Sequence, residues 1–166
     1  MLTLDKFEEA SEIVKKATQE TKLIYSKYFS EQTGNKVYLK PENMQTTGAY
    51  KVRGAYYKIS TLSEEERQKG LITASAGNHA QGVAYAAKEF GAKAVIVMPT
   101  TTPLIKVNRT KGYGAEVDRK DRIRQPLYTM RSRHPKHVMQ MYCSAIRQDD
   151  FIIKRILWQN LGKSTV

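Results

Sequence analysis

The chain has 166 residues, 40% of them apolar and 27% charged, a composition that excludes a disordered or fibrous protein and fits a globular one. The single cysteine, Cys143, leaves no disulfide framework and no multi-cysteine zinc site, and points to a reducing compartment. There is no apolar run of the roughly 18 residues that a membrane-spanning helix needs. The opening MLTLDKFEEA carries charges where a secretory signal needs its apolar stretch, so a soluble, cytoplasmic protein is expected.

The net charge of +12 is unevenly spread. Residues 1–117 hold 17 Lys+Arg against 12 Asp+Glu, whereas residues 118–166 hold 11 against 4. Nine of the ten glycines also precede position 118, and arginine overtakes lysine after it. A change in several residue types at one place marks a segment boundary near Val117.

In chain order, Leu4, Phe7, Ala10, Val14 and Ala17 recur every three or four residues and predict a helix, with Thr3 as its cap. A polar connection leads to KVYLK (36–40), a short strand with Val37 and Leu39 on one face, stopped by Pro41 and Asn43. A second helix begins close to Gly48 and carries the stripe Val52, Ala55, Tyr56, Ile59 and Leu62. LITAS (71–75) reads as a buried strand, followed by a helix from about His79 with Gly91 just past its end. KAVIVMP (93–99) is the clearest strand. Thr102 and Pro103 then form a cap-and-proline helix start, Gly112 ends that helix, and AEV opens another strand. Helices alternating with short apolar strands predict an α/β fold, a parallel sheet with flanking helices. Ligands of such sheets sit at the carboxyl ends of the strands, which places the loops around Ser75 and Pro99 on the functional rim.

Two loops carry residues suited to chemistry. In QTTGAYKVRGA (45–55), Lys51 falls at a helix start, where the dipole disfavours a cation and favours a lowered amine pKa; the alternative is a solvated surface lysine. In SAGNHAQG (75–82), amides at a helix start can bind a carboxylate or phosphate, and Ala76 and Gly77 allow close approach to the backbone. Asn78 can hydrogen-bond an oxygen of a bound ring, and His79 reads either as a proton-transfer group or as a helix residue satisfied by water.

The lysine loop, SAGNHAQG, the strand ending in MP and TPLIKVNRTKGYGAEV occur in an order that resembles the fold-type II pyridoxal-phosphate enzymes, whose architecture is tryptophan synthase β-like. Within them, residues from about Leu4 to Val117 are most similar to the threonine dehydratases (threonine ammonia-lyases), with serine racemase a close relative. The resemblance implies pyridoxal 5'-phosphate as cofactor, in Schiff-base linkage with Lys51. It places Tyr50 against the cofactor ring and Asn78 on the ring's phenolic oxygen. The backbone of Ser75, Ala76, Gly77, Asn78 and His79 would hold the substrate carboxylate. The implied reaction converts L-threonine to 2-oxobutanoate and ammonia, or L-serine to pyruvate, in an enzyme that forms homo-oligomers. Serine racemases carry serine where this chain has Ala76, and alanine has no proton to deliver to the opposite face of the substrate, so dehydration ranks above racemisation.

Some positions depart from the family. Lys22 replaces a proline of the TPL stretch, and Ala49 stands where many relatives have serine. The glycine-rich phosphate loop and the serine or cysteine facing the pyridine nitrogen are not visible, and no two glycines are adjacent. From Asp118 the sequence resembles nothing nameable, as a shifted reading frame or alternative tail would produce. In that tail FIIKRILW (151–158) has helical apolar spacing, and Arg119, Arg122, Arg124, Arg131 and Arg133 with Tyr128 form a basic cluster. A non-catalytic basic interaction fragment is the competing reading; no nucleic-acid motif accompanies the cluster, and neither nucleic acid nor membrane is the expected partner. Cys143 reads as a passive thiol, and His134 and His137 carry no assignment.

Overall fold

The computed structural model describes residues 3–121 and 139–141. FIIKRILW, the arginines from Arg122 onward, Tyr128, His134, His137 and Cys143 lie outside these residues. Helix α1 (Leu4–Val14) buries Phe7, Ala10 and Val14, the stripe its spacing predicts. Thr3 occupies the N-cap position in an extended conformation, but its side chain makes no cap hydrogen bond.

The connection after α1 holds more structure than its polarity predicts. Strand β1 (Ile24–Tyr25) pairs antiparallel with β2 (Tyr38–Leu39), and helix α2 (Lys27–Thr33) lies between them in sequence. Ser26 caps α2 by accepting from the Phe29 amide at 3.3 Å, and Gly34 closes it at φ 67°, a left-handed position that glycine takes without strain. KVYLK thus contributes only two strand residues, both exposed. A 3-10 turn (Glu42–Met44) leads to the lysine loop, where Gly48 adopts φ 72°, so the helix expected near Gly48 starts three residues later, as α3 (Lys51–Ser60). Helix α4 (Glu64–Gln68) follows on a reciprocal capping box between Ser63 and Glu66.

Strands β3 (Leu71–Ala74), β4 (Ala94–Pro99), β5 (Glu116–Lys120) and β6 (Met139–Met141) form a parallel sheet in the order β5-β4-β3-β6. Helix α5 (Asn78–Glu89) links β3 to β4, and α6 (Leu104–Gly112) links β4 to β5. Strand periodicity divides the core. Leu71, Ile96 and Met98 point into a layer with Val83, Ala84 and Ala87 of α5, Ala55 and Ile59 of α3, and Val107 of α6, while Ile72, Val95 and Val97 cluster on the opposite face. Small alanines along α5 let helix and sheet approach closely.

One local expectation changes. Thr102 does not cap α6: Pro103 holds the N-cap position, and the Thr102 hydroxyl is buried without a hydrogen-bond partner. Strand β5, opened by the predicted AEV, continues past the composition boundary at Val117 through Asp118, Arg119 and Lys120. Their side chains are half-buried or exposed, Asp118 pairs with Lys120 at 2.7 Å, and Arg119 bonds the Thr100 carbonyl. Among the described residues β5 is an edge strand, where charges are tolerated.

The strand order also locates the crevice. β3, β4 and β5 progress in one direction, and β6 returns to the other side of β3. Strand order therefore reverses at β3, and the loop leaving its carboxyl end, Ser75 to Gly77, occupies the topological switch point where ligands of open α/β sheets bind. Among the described residues no helix is long and apolar enough to cross a membrane.

Ile96 is fully buried at the centre of the sheet. Ile96→Ala is expected to lower unfolding stability by about 2–5 kcal/mol, read from the urea midpoint at unchanged slope.

Candidate active site

Lys51 is the first residue of α3, half-buried, in a first turn with no acidic residue. Its ammonium lies 5.2 Å from the centroid of the Tyr50 ring, so the aromatic face and the amine form one surface. What fixes this surface in space is α5. A Cβ added to Gly82 would lie 3.2 Å from the backbone C and O of Lys51 and 3.2 Å from the amide N of Val52. Glycine therefore allows the two helices to touch backbone to backbone at the residue that carries the amine. Gly82 stands one helical turn after Asn78. The close approach thus brings the start of α3 against the first turn of α5.

The turn before α5 is built from main chain. The Ser75 amide continues the sheet ladder by donating to the Val97 carbonyl at 3.0 Å, and the Gly77 amide donates to the Ser75 hydroxyl at 3.3 Å. Gly77 occupies the N-cap position, supplies no side chain to the first amides of α5, and has open space where a Cβ would lie. A helix start leaves its first amides without intrahelical partners, the property by which such a turn can bind an anion. Ser75, Ala76, Gly77 and His79 are half-buried and Asn78 is exposed.

A buried polar cluster holds the lysine loop, and sequence reading missed it. Arg53, 4% exposed, makes a bidentate pair with Glu42, Nε to Oε2 and Nη2 to Oε1, both at 2.9 Å. Thr21 Oγ1 donates to Glu42 Oε1 at 2.7 Å. Gln45 clamps the end of the α1 connection: its Oε1 accepts from the Gln19 amide at 2.9 Å, and its Nε2 donates to the Gln19 carbonyl at 3.0 Å. The Tyr113 hydroxyl donates to the Thr46 carbonyl at 3.1 Å and ties the end of α6 to the same loop. One sequence signal was available: Arg53 sits beside the buried stripe of α3, and a cation there requires a carboxylate. Burial raises the Glu42 pKa, but hydrogen bonds from Arg53, Thr21 and Gln45, with the Arg53 charge, hold it below the usual carboxylate range.

The groups gathered at this end of the sheet are a primary amine beside an aromatic face and, joined to its backbone through Gly82, a helix that begins in a turn of main-chain donors. Such a set fits a group with an aldehyde, a flat ring and an anionic amino-acid adduct, the requirements of a pyridoxal-phosphate site.

The comparisons with known proteins agree with this class. Residues 14–145 match the family model described as pyridoxal-phosphate dependent enzyme. The L-threonine ammonia-lyase of Thermotoga maritima is 54% identical over 117 residues, covering 70% of this chain and 29% of that protein. Maize serine racemase superposes with a TM-score of 0.86 at 28% identity over 97% of this chain and 50% of its own. Threonine deaminase isoform 2 of Solanum lycopersicum does so with a TM-score of 0.81 at 29% identity, over 98% and 46%. The chain belongs to the pyridoxal-phosphate dependent enzymes, of the fold-type II architecture. The resemblance read from the two loops is borne out, and the chain spans about a third of the curated relative's length and about half that of the solved ones.

Gly82→Val is expected to force α3 and α5 apart and cost about 1–3 kcal/mol, read by chemical denaturation. Glu42→Gln leaves the Arg53 charge buried and uncompensated, and is expected to cost about 3–5 kcal/mol at neutral pH. Because the folded-state pKa of Glu42 is depressed, its stabilisation is complete above the unfolded value of about 4.3 and is lost as the pH falls through the lower folded value. Urea midpoints measured from pH 7 downward are expected to fall less steeply in Glu42→Gln than in the unmodified chain.

Proposed function

We propose that this chain carries the amine-bearing half of a pyridoxal-phosphate dependent L-threonine ammonia-lyase, with L-serine as a second substrate. The observation that supports it most is the backbone contact of Gly82 with Lys51, which joins the amine to the first turn of α5. The name of the relative that is 54% identical agrees with threonine as substrate.

In this reading Lys51 Nζ holds pyridoxal 5'-phosphate covalently, Tyr50 lies against its ring, and Asn78 hydrogen-bonds the ring's phenolic oxygen. The bound cofactor supplies an electron sink for the pair left at the substrate's α-carbon. The chain's own groups do the rest. The turn from Ser75 to His79 grips the substrate carboxylate through the amides of Ala76, Gly77, Asn78 and His79, while the Ser75 amide, held by the Val97 carbonyl, fixes the turn to the sheet, and the grip sets the α-hydrogen toward Lys51. Nζ of Lys51 would be the base that takes that proton. The β-hydroxyl leaves as water, which returns on hydrolysis of the released enamine, so threonine gives 2-oxobutanoate and ammonia, and serine gives pyruvate and ammonia. Ala76 presents no acid to the opposite face of the substrate, which favours elimination over racemisation.

The same reading places the enzyme in the cytoplasm as a homo-oligomer, without membrane or nucleic-acid partners. It keeps residues 1–117 as the N-terminal part of the catalytic region and 118–166 as a separate basic segment, on the change in composition near Val117.

Incubation with pyridoxal phosphate should give a visible absorption band, and borohydride should then fix the cofactor on Lys51, as located by peptide mapping. Lys51→Ala should abolish both signals. Label spread evenly over surface lysines would overturn cofactor binding at this site. Salt-sensitive binding to nucleic acid that survives Lys51→Ala would favour the basic interaction fragment instead.

A further inference from the structure

A cleft of about 690 Å³ opens between the end of α1, the segment that follows it, and β2, and none of the residues of the turn before α5 lines it. Its volume is in the range that takes a small organic ligand. Four cations line it, Lys15, Lys22, Lys40 and Arg53, against a single carboxylate, Glu20. Two of the cations are already compensated: Lys15 pairs with Glu12 at 2.6 Å, and Arg53 with Glu42 at 2.9 Å.

Lys40 is different. It is half-buried, its ammonium donates to the Thr21 carbonyl at 2.5 Å, and it makes no salt bridge among the described residues. Burial and the charge of Arg53 lower its pKa, and Glu42 and Glu20 only partly restore it. The cleft therefore presents a half-buried ammonium, held by one carbonyl and by no salt bridge among the described residues, that a small anion could pair with. Lys22 is exposed beside it, Thr18 contributes a hydroxyl, and Tyr38 and Leu23 give the wall an apolar portion suited to a carbon skeleton.

We propose that this cleft is a binding site for a small oxyanion, a phosphate or a carboxylate, with Lys40 as its anchor and Lys22 at its rim. The site is separate from the turn of main-chain donors before α5. It shares Thr21 and Arg53 with the cluster that holds Glu42, so its occupant touches the support of the lysine loop without touching Lys51.

The test is a titration of the full chain with inorganic phosphate and, separately, with succinate, at constant ionic strength in chloride, following backbone amide shifts. Saturable shifts are expected at residues 18–23 and 40 with at least one of the two anions, and the more effective one identifies the headgroup. Lys40→Met should weaken binding about tenfold or more, the loss of one charge-assisted hydrogen bond. Lys22→Met, which removes an exposed side chain and leaves the packing intact, should weaken it by a few-fold, while Lys69→Met on the exposed end of α4 should not. If Lys40→Met fails to fold, the Lys22→Met titration carries the decision. No saturable binding of either anion, affinity unchanged by both substitutions, or shifts confined to residues 75–82 would overturn the proposal.

Discussion

The close approach of α5 to α3 at Gly82 is the constraint around which the candidate site is organised. Helices separated by ordinary side chains lie 8–10 Å apart, and their facing backbones do not touch. Here a would-be Cβ meets the carbonyl carbon and oxygen of Lys51 and the amide of Val52 at 3.2 Å, so one missing methyl group sets how closely the start of α3 approaches α5. Gly82 costs helix propensity, about 1 kcal/mol against alanine. The alanine-rich packing of α5 against β3 and β4 offsets that cost and leaves the helix no freedom to slide.

A second constraint follows from the first. If α3 is pinned at its N-terminus, the loop before it must deliver Lys51 in one conformation, and that loop has little apolar content to hold it. Hydrogen bonds and charge do this instead. Glu42 collects both arms of the Arg53 guanidinium and the Thr21 hydroxyl, and Gln45 grips both polar groups of Gln19. Buried ion pairs add little net stability compared with an apolar replacement, but they enforce geometry, because removal of either partner strands a charge. Gly48 at φ 72° completes the turn that brings these groups into register.

How legible this was in the sequence depended on which force organises each part. Strands β3 and β4 were visible because LITA is apolar but for Thr73 and AVIVMP is a continuous apolar run closed by proline, the mark of strands buried on both faces. Lys51 and the turn from Ser75 to His79 were visible as motifs, with functional roles drawn from the family resemblance. Helix α4 was missed although Ser63 and Glu66 spell its capping box, because its five residues bury nothing and leave no periodic stripe. β1, β2 and α2 were missed or shortened for a related reason: Ile24, Tyr25, Tyr38 and Leu39 are all exposed, so their alternation does not report burial. Strand β5 shows the converse. Charges that would exclude a central strand are admitted at an edge, and sequence periodicity does not distinguish the two positions.

The two sheets differ in how far the described residues complete them, and this bears on how the site works. The four-stranded sheet has buried side chains on both faces, and it presents the Ser75 turn from a rigid base. The β1–β2 ribbon is two residues long on each side and leaves its aromatic pair, Tyr25 and Tyr38, exposed with ring centroids 5.4 Å apart. A two-stranded ribbon of that size is marginal without further packing. Its attachment to the rest of the fold runs through Lys40, Thr21 and Glu42, the same polar cluster that orients α3. Lys40 thus joins the ribbon by hydrogen bonds to the cluster that supports the lysine loop, whereas the turn before α5 is joined to the sheet ladder. The start of α3 is thus held from two sides, by the polar cluster of its loop and by Gly82 of α5, while the turn before α5 rests on the sheet ladder.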